Sequence, residues 1–175
     1  MLTLLLGGAR SGKSTLAVEM GRRHDGPVTF VATAEPIDGD MSGRIGRHRA
    51  ERPAWPTIEE PLDLAAPLAA AGDADLVIVD CLTLWIGNLL HRGDSDTAVE
   101  ALSHDTAALA ADRAGPTVVV SNEVGMGVHP ETALGMRYRD LLGRVNQHWA
   151  AAADTSLLLV AGRAVALTDP WMVLT

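Results

Sequence analysis

Residues 7–14 read GGARSGKS, a full G-x-x-x-x-G-K-S pattern. It follows an apolar run, LTLLL at 2–6, and opens a helix-like stretch, SGKSTLAVEMGRRH. No other feature restricts the fold as much. A strand must deliver the chain to a tight glycine turn, and a helix must start directly beyond it. Backbone N–H groups can then turn inward around phosphate oxygens, and the helix N-terminus adds partial positive charge. Gly7, Gly8, Ala9, Arg10, Ser11, Gly12, Lys13 and Ser14 are therefore expected to bind nucleotide. Lys13 is expected to reach the β- and γ-phosphates during catalysis, and Ser14 to ligate Mg²⁺. Lys13 is the only lysine in the chain; every other cationic side chain is arginine. A compact ammonium on a flexible stem is what such a loop can enclose.

The rest of the chain continues the strand–helix alternation. PVTFVATA (27–34) reads as a second strand, and TIEEP as a short one. LDLAAPLAAAG reads as a helix that kinks or starts late at Pro67. LVIVD (76–80) is the clearest buried strand, with LTLWIGNLL as the next helix. HRGDSD is expected as loop, TAVEALSHDTAALAADRAG as a long helix, and PTVVVSNE as another strand ending at Glu123. VGMGVHPETALG is expected as a Gly-rich loop and MRYRDLLGRVNQHWAAAAD as a helix. TSLLLVAGRAVALT reads as two strands turning at Gly162. The alternation, with near-continuous apolar strands, predicts an α/β P-loop NTPase domain with a mostly parallel sheet flanked by helices. Its 175 residues suit one nucleotide-binding domain over 1–175.

Composition narrows the partners. The formal net charge is −8 and aromatic content is 3%. Both argue against nucleic acid, which draws on basic surface and stacking side chains. No stretch reaches the roughly 18 apolar residues of a membrane span. One cysteine, Cys81, leaves no internal disulfide and suits a cytoplasmic setting. The five histidines His24, His91, His104, His129 and His148 lack metal-ligand spacing; His129, in the Gly-rich loop, is a candidate for closing over substrate. Trp85 and Trp149 are expected in the core or at subunit contacts.

Two further positions point to chemistry. Asp80 ends LVIVD, where a carboxylate partner for Mg²⁺ belongs at the end of a central strand; an ordinary helix cap is the alternative. Residues 41–53 read MSGRIGRHRAERP and gather Arg44, Arg47, Arg49 and Arg52 around His48 in an acidic chain. On a helix, 44, 48 and 52 share one face. Cations so placed would lower the pKa of His48 and keep it neutral, as a nucleophile requires, and would grip a triphosphate. A surface helix bridging to Glu51 and Glu59 accounts for the same residues equally well.

GGARSGKS, VATAEPIDGDMSGRIGRHRAERPAWPTIEEP, VDCLTLWIGNLL, VSNEVGMGVHPE and GRVNQHWAAAAD, in that order, resemble the bifunctional adenosylcobinamide kinase / adenosylcobinamide-phosphate guanylyltransferase family of cobalamin biosynthesis. The resemblance covers residues 2 to about 168. It implies transfer of a γ-phosphate from ATP or GTP to adenosylcobinamide. Transfer of GMP from GTP to the adenosylcobinamide phosphate then follows, through a GMP-histidine on His48, with release of pyrophosphate. It also implies nucleotide contacts at Ala32, Thr33 and Ala34, at Arg49, Ala50, Glu51 and Arg52, and at Glu59 and Asp80. A RecA-like sheet and a homotrimer are implied as well. Arg163 departs from the family pattern, in which an apolar residue is common there.

Overall fold

The computed structural model describes residues 1–34 and 53–174. Seven strands form one sheet: β1 (Leu2–Gly7), β2 (Val28–Ala32), β3 (Thr57–Glu59), β4 (Leu76–Asp80), β5 (Thr117–Val120), β6 (Thr155–Val160) and β7 (Arg163–Leu167). The helices are α1 (Lys13–Arg22), α2 (Ala65–Ala70), α3 (Leu82–Arg92), α4 (Asp96–Asp112) and α5 (Ala133–Ala152), with a 3₁₀ turn at Pro170–Met172. The sheet order is β3-β2-β4-β5-β1-β6-β7. Every pairing is parallel except β6 with β7, which join through a tight turn at Ala161 and Gly162. The mostly parallel sheet flanked by helices is the architecture the alternation predicts.

The strands read as continuous apolar runs because both faces are covered. One face (Leu5, Val28, Phe30, Leu76, Ile78, Val118, Val120) packs against Ala17, Leu16 and Met20 of α1, with Trp55 beside them. The other face (Leu2, Leu4, Val31, Val77, Val79, Val119) packs against α2–α5 and forms the larger core. Trp85 and Trp149 are fully buried there, as expected. The Trp85 indole N–H also donates to the Leu62 carbonyl at 2.8 Å.

Several boundaries differ from the sequence reading. α3 runs on through His91 and Arg92, to a left-handed cap at Gly93. α5 begins at Ala133, inside the stretch expected as loop, because the Thr132 hydroxyl accepts the Gly135 N–H at 3.0 Å and caps the helix. β5 ends at Val120, so Glu123 lies beyond the strand. Pro67 stands in the first turn of α2, where its missing N–H costs nothing, and the helix does start late.

Candidate functional site

In a parallel sheet the carboxyl ends of the strands share one edge, and ligands bind outside that edge. β1 arrives there at Gly7 and turns directly into the loop and α1. Gly7 has φ +146°, and a Cβ on it would lie 2.4 Å from the Leu159 carbonyl oxygen. No side chain fits there, so the turn out of β1, packed against β6, demands glycine. The Gly162 N–H donates to the Ser11 carbonyl at 2.9 Å, and the Glu123 N–H to the Gly7 carbonyl at 3.1 Å. The loop is thus braced by the β6–β7 turn and by the segment after β5.

Lys13, the first residue of α1, is only 6% exposed. Its ammonium donates to the carbonyls of Gly7 (2.9 Å) and Gly8 (2.7 Å) and to Ser11 Oγ (3.4 Å). Burial lowers its pKa; Cys81 and the Asp80 carboxylate nearby oppose that shift. Two expected site residues, Lys13 and Asp80, are therefore electrostatic neighbours although 67 positions (80 − 13) separate them. Ser14 follows in the first turn of α1.

The strand register brings three more together. Ala32 pairs with Glu59 of β3 on one side and with Asp80 of β4 on the other. Neighbouring parallel strands stand about 4.8 Å apart and registered residues share a face, so Glu59, Ala32 and Asp80 form one row across the edge. Asp80 lies on the α1 side, in alternation with Ile78 and Leu76. Beyond β2, Thr33 is fully buried and its hydroxyl is engaged by Cys81. Ala34 is the last described residue before the basic segment. His48, Arg49, Ala50, Glu51 and Arg52 lie outside the described residues.

Burial, helped by the Asp80 charge, pushes the Cys81 thiol up to about 12. It is a neutral small residue at the site edge, not a nucleophile. The Tyr138 hydroxyl donates to the Thr83 carbonyl at 3.0 Å, and burial raises its pKa. Asn88 and Asn146 escaped the sequence reading. Asn146 binds Ser121 Oγ at 2.6 Å and the Asn122 carbonyl at 3.0 Å, holding the exit of β5. A buried asparagine on an otherwise apolar helix face is the signal that could have flagged both. His129 is exposed, in the loop, with its ring on the Pro130 carbonyl.

The oxygen donors of Ser14 and Asp80 suit Mg²⁺. That ion keeps several waters and takes one or two protein oxygens beside substrate phosphates. Bound there, it would neutralise charge on the phosphates. The arrangement can hold a polyphosphate along the loop, with the Asp80 carboxylate near enough to act electrostatically on Lys13.

A family model described as cobinamide kinase / cobinamide phosphate guanyltransferase matches residues 3–167. The bifunctional adenosylcobalamin biosynthesis protein CobP of Pseudomonas aeruginosa is 44% identical over 167 residues, covering 93% of this chain and 94% of its own. The corresponding CobU proteins of Salmonella typhimurium and Escherichia coli are 40% and 37% identical, each covering 93% of this chain and 97% of its own. Among solved structures, an ATPase from a bacterial type III secretion system superposes with a TM-score of 0.55 at 12% identity. It covers 97% of this chain and 59% of its own length, a likeness of fold alone.

Proposed function

Since the chain belongs to the cobinamide kinase / cobinamide phosphate guanyltransferase family, we propose that it carries out both reactions at the loop-and-row edge described above. In the first, the aminopropanol hydroxyl of adenosylcobinamide attacks the γ-phosphorus of ATP or GTP. The bridge to the β-phosphate breaks, the nucleoside diphosphate leaves and the hydroxyl proton is released. In the second, a neutral His48 nitrogen attacks the α-phosphorus of GTP and pyrophosphate leaves. A phosphate oxygen of adenosylcobinamide phosphate then displaces His48 from the GMP phosphorus. The products are adenosylcobinamide-GDP and a free imidazole.

The residues divide the work by chemistry. The loop N–H groups of residues 7–14 and the Lys13 ammonium hold the phosphates and offset charge developing on the transferred group. Ser14 and Asp80 would hold Mg²⁺. Arg49 and Arg52 would grip the triphosphate and keep His48 neutral, with Ala32, Ala34, Ala50, Glu51 and Glu59 completing the nucleotide contacts and Thr33, fully buried, standing behind them.

The observation that carries the reading is the meeting of the Lys13 loop and Asp80 at one sheet edge. Chain length supports a place for His48 there. Trp55 packs at Gly21, near the far end of α1. From Trp55 back to His48 is seven residues (55 − 48), or about 23 Å extended, against about 15 Å for the ten-residue α1.

One seven-stranded sheet running from residue 2 to residue 167 supports a single nucleotide-binding domain over 1–175. Exposed Val160, Val165 and Leu167 at the β6–β7 edge support self-association, and the homotrimer is the form the family resemblance implies. No helix among the described residues is long and apolar enough to cross a membrane. ATP and GTP as substrates support a cytoplasmic setting.

GTP labelled at the α-phosphate tests the guanylyl step. The wild type should take up acid-labile, alkali-stable covalent label that His48→Ala abolishes. Wild-type protein with Mg²⁺ and no α-label sinks that step. γ-Label transfer to cobinamide without α-label leaves a kinase alone.

A further inference from the structure

The row Glu59–Ala32–Asp80 stands where three strands end and their chains diverge. β2 leads to Thr33 and the basic segment, β3 to Pro61, and β4 to Cys81 and α3. Ends of this kind fray unless something continues the ladder. Here two side chains do.

The Thr33 hydroxyl donates to the Cys81 carbonyl at 2.7 Å and accepts the Cys81 N–H at 2.8 Å. One hydroxyl thus supplies both halves of a missing rung. The Thr33 N–H donates to the Asp80 carbonyl at 3.2 Å, and the Glu60 N–H to the Ala32 carbonyl at 2.9 Å. From the second turn of α3, the Asn88 amide donates to the Thr33 carbonyl at 2.8 Å and to the Pro61 carbonyl at 3.1 Å. A carboxamide NH₂ has two protons to give, and both are used. Thr33 is 0% exposed and Asn88 9% exposed. Each therefore sits where an unpaired polar group would be costly, and every bond but the one to Pro61 falls on or beside a residue of the row.

We infer that Thr33 and Asn88 form a clasp that positions the Glu59–Ala32–Asp80 row, and the chain leaving at Ala34, for nucleotide binding. The inference rests on the functional reading of that row. Neither side chain needs to touch the nucleotide. The Thr33 hydroxyl acts through Cys81 and Asp80, and Asn88 through the exits of β2 and β3. Because one phosphate loop serves both transfers, the clasp acts on both.

The test compares Thr33→Val, which keeps the shape and loses both hydroxyl bonds, with Thr33→Ser, which keeps the bonds. Asn88→Ala is the third variant. Thr106→Val in α4 is the control. Thr106 is 1% exposed and its hydroxyl donates to the Leu102 carbonyl at 2.7 Å within α4, a different helix from the α3 that carries Asn88. The readouts are calorimetric Kd for a non-hydrolysable GTP analogue, KM and kcat for both transfers, and Tm.

Thr33→Val and Asn88→Ala should raise Kd and both KM values about tenfold. Thr33→Ser should return to within about twofold of wild type. Thr106→Val should lose Tm with native Kd. A purely structural role predicts native Kd in the folded fraction of Thr33→Val, and that result overturns the clasp. So does a Thr33→Ser protein as impaired as Thr33→Val. If Thr33→Val does not fold, native Kd and KM in Asn88→Ala overturn it. Wild type that binds the analogue but transfers neither group sinks the functional reading, whereas active wild type with unaffected variants sinks only the clasp. Wild type that binds no nucleotide sinks both.

Discussion

Cys81 sits one residue past Asp80, and the carboxylate helps set the chemistry of the thiol. Burial and the neighbouring carboxylate hold the thiol neutral up to about pH 12, against 9.0 for an ordinary cysteine. Between those values the folded chain keeps a proton that the unfolded chain has released. Stability must therefore fall as pH rises through that window. Tyr138, also raised, adds to the fall above 10.0. Lys13 works in the opposite sense. Its lowered pKa means the folded chain releases that proton first, so the cost of burying its charge fades as pH approaches 10.5. Urea unfolding from pH 8 to 10.5 should show a shallower alkaline decline in Cys81→Ala than in wild type. Native protein at pH 8.5 should also alkylate at Cys81 roughly a hundredfold more slowly than unfolded protein. Equal rates would contradict the shift.

α1 carries a glycine where alanine would ordinarily be better by about 1 kcal/mol. Gly21 is kept small by Trp55: a Cβ would lie 2.5 Å from Trp55 Cη2 and 3.1 Å from Ile78 Cδ1. The chain re-entering the sheet ahead of β3 is thus seated on α1, and the Phe30 N–H donates to the Pro56 carbonyl at 2.9 Å beside it. Gly21→Ala should cost about 1–3 kcal/mol by overpacking, measured by urea denaturation. In a Trp55→Ala background the same substitution should cost little or stabilise, a coupling that a double-mutant cycle reads directly. Additive effects would show that Trp55 is not the neighbour that matters. At this scale the sequence was clear where the period was strong, as in LVIVD and the helix around Trp85. It was blurred where a single cap decided the boundary, as at Thr132 ahead of Gly135.

Over the whole molecule, among the described residues, the sheet has α1 on one side and four helices opposite, and its β7 edge carries exposed apolar side chains. Leu158 and Val165 pair across β6 and β7, and Ser156 pairs with Leu167. Val160, Val165 and Leu167 are 61%, 59% and 42% exposed, and Trp171 through Leu174 are exposed as well. An apolar edge strand of this kind invites pairing with another chain. Val165→Glu should shift the protein to monomer in sedimentation equilibrium, with the far-ultraviolet dichroism unchanged. An unshifted assembly would place the interface elsewhere. Loss of activity with assembly would further show that the site depends on a neighbouring subunit.

The sequence by itself determined the phosphate loop, the strand–helix alternation and the identity of Lys13, Ser14 and Asp80 as site candidates. Those features are local: eight consecutive residues make the loop, and five make the strand that presents Asp80. It also singled out His48 and its arginines, through composition and family resemblance, without placing them against the sheet. Only the tertiary structure decided that β2 lies between β3 and β4, which puts Glu59, Ala32 and Asp80 in one row. Only it revealed that Thr33 and Asn88, 55 residues apart in the chain, share a hydrogen bond at that row. Strand order and buried polar partners depend on long-range pairing, and no local pattern of residue types encodes which distant carbonyl a buried amide will meet.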